Sequence, residues 1–308
     1  MDRRLVAVLL LAGVVAVAMG AAYVARPQPT ISGKVKVVAS FYPLAYMAEA
    51  IGGDGVEVTT LIPPGVEPHS YQPTVSDLVA CSDADVIIYN GAGLDDWLRD
   101  SVLPSIDASG KLVVDSTANV TLFRNVAQAE VQEHGAYDPH TWVSPHEAYL
   151  QGRAIYEALV GRDPANTASY AAGWAALASR LAAMDQAYGT GLANTTRHVI
   201  FTTHDAFGYF GAAYAVEFIA PQGVSTESDA SARDVARIIA QVKRERIPAV
   251  FLENVTDPRL LKRIGEETGT AIGGTLYSDA LTERNGPAPT YVELMRHNAR
   301  QLAAALAK

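Results

Sequence analysis

Cysteine is nearly absent: Cys81 is the only one in 308 residues. An intrachain disulfide is therefore impossible, and so is a multi-cysteine metal or iron–sulfur site. Cys81 lies in the apolar helical pattern Asp77–Cys81, where a buried thiol is the plain expectation. Positive charge is also short, with 24 Lys and Arg against 33 Asp and Glu and a net charge of −9. Asp2, Arg3, Arg4 and Arg26 give the first 30 residues a surplus of two positive charges, so the remaining body holds −11. That body lacks the basic face a nucleic-acid binder needs. It is compatible with a cation ligand, although net charge alone does not identify one. Low-complexity tracts are missing apart from alanine-rich helical stretches, and no short-period repeat occurs. HExxH, GxSxG and the Walker A lysine motif are absent, and no GxGxxG opens a helix after the first strand. The common local signatures of zinc proteases, serine hydrolases and nucleotide-binding enzymes are thus excluded.

One long apolar run is present, at the N-terminus. Asp2, Arg3 and Arg4 precede an uncharged stretch from Leu5 to Ala25. A basic start, an apolar centre and small residues around Ala18-Met-Gly-Ala21 read as an export signal. About 20 apolar residues also suffice to span a bilayer, so an uncleaved anchor is the alternative. No cysteine follows the run, unlike a bacterial lipoprotein of the usual type. Either reading places the body outside the cytoplasm. No second apolar run of that length occurs, so the body is expected to be soluble.

Residues 26–34 are rich in turn formers and read as a linker, which makes 1–30 a signal or anchor plus linker. Short apolar runs then alternate with helical patterns. Val35–Ala39, Val56–Ile62, Val86–Tyr89 and Leu112–Val114 read as strands, and 42–51, 74–82 and 94–103 as helices. Such alternation signals a parallel sheet with crossover helices. In the middle, Asp163-Pro164 suits a helix start. Tyr170, Trp174, Leu177, Leu181, Met184 and Tyr188 continue it as one stripe at helical spacing. Gly189 and Gly191 are its expected end. At ~1.5 Å per residue such a helix is about 39 Å long, enough to act as a strut between two lobes as well as a core helix.

The alternation then resumes. His198–Thr203, Ala249–Glu253 and Ala271–Tyr277 read as strands, and Val216–Ile219 is a short apolar run. Helices are expected at 205–214, from a cap at Ser231 to about Arg246, from Asp257-Pro258 to Gly269, and over 290–307. The fold class is α/β: two parallel-sheet lobes joined by one long helix. The division is 31–163 for the N-terminal lobe, 164–191 for the linking helix and 192–308 for the C-terminal lobe.

Seven histidines are present: His69, His134, His140, His146, His198, His204 and His297. His69 lies past the second strand, and His204 falls just after the strand that starts at His198. Asp279 follows the last strand, and His140 stands in Tyr137-Asp-Pro-His140-Thr-Trp142. Open α/β sheets bind ligands beyond the carboxyl ends of their strands. Three neutral imidazoles and one carboxylate suit Zn²⁺ in a tetrahedron, and a bidentate carboxylate also serves Mn²⁺ at higher coordination. These four are too far apart in sequence for a motif rule to join them. His134, in an acidic loop with Glu130 and Glu133, and His146, His198 and His297 read as structural or surface residues. Asp234 and Asp257 read as helix-end acids.

Six segments in order carry a family resemblance. They are Gly65-Val-Glu-Pro-His69-Ser-Tyr-Gln-Pro-Thr74, Ala84-Asp-Val-Ile-Ile-Tyr-Asn-Gly91 with Asp96-Trp97, and Asp138-Pro-His140-Thr-Trp142. Thr203-His-Asp-Ala-Phe-Gly-Tyr-Phe210, Gln222-Gly-Val-Ser-Thr-Glu-Ser228 and Tyr277-Ser-Asp279-Ala-Leu281 complete them. From Val35 to the C-terminus the chain resembles the TroA-like (cluster A-I) binding components of ABC uptake systems for zinc and manganese. The resemblance implies two α/β lobes on one long helix, with the metal in the cleft between them. His69 and His140 match the ligands of the first lobe. His204 matches a position that is histidine in some members and glutamate in others, and Asp279 matches the carboxylate of the second lobe. Asp138 and Glu227 are expected to hold the outer ring nitrogens of ligating histidines. Glu67 stands where the family usually has Asp, and Gln72 where Glu is common. The segment from Asn119 to Asp138 lacks the long histidine- and acid-rich loop of many zinc-specific members, whereas His204 favours zinc.

The implied function is extracytoplasmic capture of Zn²⁺, with Mn²⁺ as alternative, and delivery to an ABC permease and its ATPase. The protein is expected to be a monomer, to be associated with the membrane through that permease or an N-terminal anchor, and not to be an enzyme. A zinc-dependent hydrolase and a metal-binding surface adhesin are the alternatives.

Overall fold

The computed structural model describes residues 33–307, apart from 125–135, 194, 196–197, 221–231, 246, 248 and 255–256. The expected signal or anchor over 1–30 lies outside the described residues, as do His134, Glu227 and the segment 222–228. The chain divides at residue 33, and the architecture below is that of Lys34–Lys308.

Val35–Ala39 (β1), Val56–Thr60 (β2), Val86–Tyr89 (β3) and Leu112–Asp115 (β4) form a parallel sheet in the order β2-β1-β3-β4. Val199–Phe201 (β5), Glu217–Ile219 (β6), Ala249–Glu253 (β7) and Ala271–Leu276 (β8) form a second parallel sheet, in the order β6-β5-β7-β8. Each sheet has the same order, with its second strand at one edge. The inner strands read as apolar runs because parallel sheets are covered on both faces. β3, for example, is buried at all four residues. Leu61, Cys81, Ile87, Leu98 and Val102 pack together in the first lobe; Phe201, Ile238, Val250, Leu261 and Ile264 do so in the second. The thiol of Cys81 is buried, as expected.

The helices are Tyr42–Gly52 (α1), Val75–Asp83 (α2), Pro145–Arg162 (α3), Thr167–Leu192 (α4), Gly208–Tyr214 (α5), Ala232–Glu245 (α6), Arg259–Thr268 (α7) and Tyr291–Leu306 (α8). Two expectations need correcting. Over 94–103 no regular α-helix forms: the chain makes a wide turn over Leu98–Val102, with Leu103 N–H reaching Leu98 O, then a tight turn over Leu103–Ser105. Pro104 explains it, since proline lacks an N–H and its ring crowds the carbonyl four residues back. The long helix is preceded by a tight turn over Pro164–Asn166, and it runs through Gly189 and Gly191 to Leu192. Leu192 is buried one i+4 step beyond Tyr188 and extends the apolar stripe. Glycine inside a helix costs about 1 kcal/mol but does not forbid it.

The long helix touches both lobes. It packs against α1 and α3 of the first and α5 and α8 of the second. Gly173 permits the close approach to α1: a Cβ there would stand 2.3 Å from the backbone oxygen of Ile51. Among the described residues, no helix is long and apolar enough to cross a membrane.

Candidate metal centre

The carboxyl ends of the two sheets meet at one cluster. His69 lies in the loop after β2, and His140 immediately before the tight turn Thr141–Val143. His204 comes three residues after β5 ends, and Asp279 three after β8. These four each present a ligand atom within 4.8 Å of the others'. His69 Nε2 is 3.1 Å from His140 Nε2, which is 3.3 Å from His204 Nε2. Asp279 Oδ2 is 3.0 Å from His204 Nε2 and 4.0 Å from His69 Nε2, and its Oδ1 is 3.6 Å from His140 Nε2. His140, His204 and Asp279 are buried, and His69 is half-buried.

Local structure aims each ring. The carboxylate of Glu67, the residue that departs from the family's usual Asp, accepts from the backbone N–H groups of His69 and Ser70 and from the Ser70 hydroxyl. That closes the turn that carries His69. His140 Nδ1 lies 2.8 Å from Asp138 Oδ1, which also accepts the His140 backbone N–H. His204 Nδ1 lies 2.8 Å from Glu253 Oε2, and Glu253 Oε1 accepts the backbone N–H groups of Thr203 and His204. A carboxylate beside Nδ1 favours a proton on that nitrogen and leaves Nε2 of His140 and of His204 facing the cluster.

Three imidazole Nε2 atoms and a carboxylate therefore converge in a largely buried space. Neither oxygen of Asp279 receives a well-aligned hydrogen bond from a described residue. A buried carboxylate without such partners is costly unless a cation faces it. Burial alone would lower the pKa of His204, but the charges of Glu253 and Asp279 outweigh it and raise the value well above the ordinary imidazole range. Burial would likewise raise Asp279, yet His204, then His140 and His69, hold it below the usual carboxylate range. The cluster is an anionic pocket whose charges favour a cation, as the raised pKa of His204 and the lowered one of Asp279 both register.

Asp138 stands where sequence reasoning expected it. Glu227 is outside the described residues, and the carboxylate on His204 is Glu253, which sequence reasoning missed. The signal was there: Glu253 is an acid at the carboxyl end of the otherwise apolar strand Ala-Val-Phe-Leu-Glu. His146, His198 and His297 do not belong to the group of four. His146 is the second residue of α3, His198 is exposed just before β5, and His297 points its Nε2 at Thr275 O.

The profile of the family described as the zinc-uptake complex component A, periplasmic (ZnuA) matches residues 37–305. The iron-binding protein YfeA of Yersinia pestis is 32% identical over 264 residues, 85% of this chain and 83% of YfeA. The zinc-binding protein TroA of Treponema pallidum is 31% identical over 284 residues, 90% of each chain. The manganese-binding lipoprotein MntA of Halalkalibacterium halodurans is 28% identical over 269 residues, 86% of each. Among solved structures, the periplasmic zinc-binding protein TroA superposes with a TM-score of 0.81 at 30% identity, over 90% of this chain and 100% of that one.

Proposed function

The chain belongs to the periplasmic zinc-uptake component A family, and from that premise we propose that His69, His140, His204 and Asp279 together hold one divalent transition-metal ion as cargo. The family's members are metal-binding components of ABC uptake systems, not enzymes, and they work outside the cytoplasm. The convergence of four ligand atoms from both lobes within 4.8 Å carries the site assignment. Two histidines from the residues N-terminal to the long helix and a His–Asp pair from those C-terminal to it close on the ion. We take the working units as 31–163, 164–191 and 192–308, with residues 1–30 as export signal or anchor.

Zinc is the favoured cargo and manganese the alternative. A set of three imidazoles and one carboxylate matches the tetrahedral preference of Zn²⁺, whereas Mn²⁺ favours more oxygen and a higher coordination number. Relatives divide on the point, as their names specify zinc, manganese or iron. Four protein ligands also leave no open position for the activated water of a zinc hydrolase. Cargo passes from this monomer to a membrane permease driven by its ATPase.

The test is a competitive titration of the metal-stripped protein with Zn²⁺ and Mn²⁺ against chelators of known affinity. One site per chain, lost in His69→Ala and in Asp279→Ala, is the expected result. No stoichiometric binding of either metal would reduce the resemblance to one of fold.

A further inference from the structure

Behind the four ligands, the two lobes are joined through the backbone oxygen of Ser278. It accepts a hydrogen bond from the Tyr42 hydroxyl at 2.7 Å and another from Trp142 Nε1 at 2.8 Å. Ser278 belongs to the loop after β8 and immediately precedes Asp279. Tyr42 opens α1 in the other lobe, and Trp142 lies two residues beyond His140. All three are buried, Ser278 and Trp142 completely so.

Ser278 is tied on its other side as well. Its hydroxyl donates to Glu253 Oε2 at 2.8 Å, the oxygen that faces His204 Nδ1. One residue thus contacts the support of His204, adjoins Asp279 in the chain, and accepts two donors from the opposite lobe. Trp142 is itself fixed, since its backbone oxygen accepts from the Tyr291 hydroxyl of α8. A carbonyl held by two buried donors cannot slide without leaving a donor unpaired, which costs the full desolvation of that group.

Resting on the metal reading above, we infer that Tyr42 and Trp142 are positioning residues that set the spacing between the His69–His140 pair and the His204–Asp279 pair. That spacing governs which coordination geometry the site enforces and how readily the ion leaves. A small tetrahedral ion requires donors held close, at ~2.0–2.3 Å from the metal. Releasing the Ser278 carbonyl frees the second pair to drift from the first. Tetrahedral preference then weakens, and the ion escapes faster. Neither Tyr42 nor Trp142 belongs to the group of four ligand side chains.

Co²⁺ in place of the cargo reports the geometry through its visible absorption, which is intense when tetrahedral and weak at higher coordination. Tyr42→Phe and Trp142→Phe each remove one donor. Tyr188→Phe is the control: it deletes a buried hydroxyl that donates to Met295 O, away from Ser278. The experiment records the Co²⁺ spectrum, the rate of Zn²⁺ release to a chelator, and the melting temperature. Tyr42→Phe should weaken the tetrahedral bands and speed release by about 10-fold, within the range expected when outer supports of a metal site are lost. Tyr188→Phe should lower the melting temperature and leave both metal readouts unchanged. Should Trp142→Phe fail to fold, Tyr42→Phe alone decides. A Tyr42→Phe protein with wild-type bands and release, merely less stable, overturns the inference. A wild-type protein that takes up neither Co²⁺ nor Zn²⁺ overturns the metal reading and this inference with it.

Discussion

His204 and Glu253 form a buried pair in which Nδ1 of the imidazole lies 2.8 Å from Oε2 of the carboxylate. The pair decides which nitrogen of His204 carries a proton. With the proton on Nδ1, Nε2 offers its lone pair to the site. In Glu253→Gln the amide oxygen can still accept the backbone N–H groups of Thr203 and His204, but the NH₂ then faces Nδ1. That reverses the tautomer and turns an N–H toward the ion. The expected result is a 10–100-fold loss of metal affinity with the fold retained, measured by chelator competition and circular dichroism. Unchanged affinity would mean that Glu253 does not set the tautomer.

The same pair makes binding depend on pH. The folded-state pKa of His204 lies above the ~6.5 of a free imidazole. Its protonation therefore stabilises the metal-free protein fully below pH ~6.5, and that contribution is lost as pH rises through the raised value. The metal needs the ring unprotonated, so it competes with this proton. Affinity should fall from pH 7.5 to pH 5, and the gain in melting temperature on loading should be larger at pH 8 than at pH 6. Asp279, held below the usual carboxylate range, stays charged throughout and adds no slope there. Equal affinity at pH 7.5 and 5 would contradict the assignment of His204 as a ligand.

Much of this architecture was legible in the chain. The alternation of apolar runs and helical stripes announced two α/β halves, because inner parallel strands must be apolar on both faces. The stripe from Tyr170 to Tyr188 announced the long helix. Its true end did not show, because burial of Leu192 outweighs the weak local preference of Gly189 and Gly191. His69, His204 and Asp279 were nameable from the strand ends they follow, and all four, His140 included, from the family resemblance; the structure brings their ligand atoms together. Glu253 was missed for a physical reason. Its partner His204 is 49 positions away, and only the pairing of β5 with β7 brings the two strand ends side by side. The join at Ser278 was hidden in the same way, since a backbone oxygen leaves no trace in composition or periodicity.

Asp95 supplies a prediction independent of the metal. It is buried, and burial pushes its pKa up to about 6, against the lowering effect of the Asn90 and Gly91 N–H groups that it accepts. Asn90 in turn donates from its side chain to Pro139 O, next to His140. A carboxylate raised in the folded state favours folding while protonated, below its unfolded value of ~3.9. That contribution is lost as pH rises through about 6. A shift of this size corresponds to about 3 kcal/mol. Asp95→Asn should therefore flatten the fall in stability between pH 4 and 7 relative to wild type, measured by urea unfolding at several pH values. Parallel pH profiles for the two proteins would show that Asp95 titrates normally.

Gly173 tests how closely the long helix must lie against the first lobe. In isolation, glycine to alanine inside a helix is worth about 1 kcal/mol in favour of the helix. Here the new Cβ would stand 2.3 Å from Ile51 O and 2.9 Å from Ala50 O, which are backbone atoms of α1. A flexible side chain could turn aside, but these carbonyls end a helix and can yield only if α1 and α4 separate. Overpacking of this kind costs about 1–3 kcal/mol, more than the propensity gain. Gly173→Ala should therefore lower the urea midpoint. Because α4 also packs on α8, separation from α1 should disturb the placement of the second lobe and weaken metal binding as well. A more stable variant would mean that the two helices have room to spare and that propensity alone governs the site. A less stable variant with wild-type affinity would mean that α4 gives way locally while the Ser278 join keeps the ligands in place.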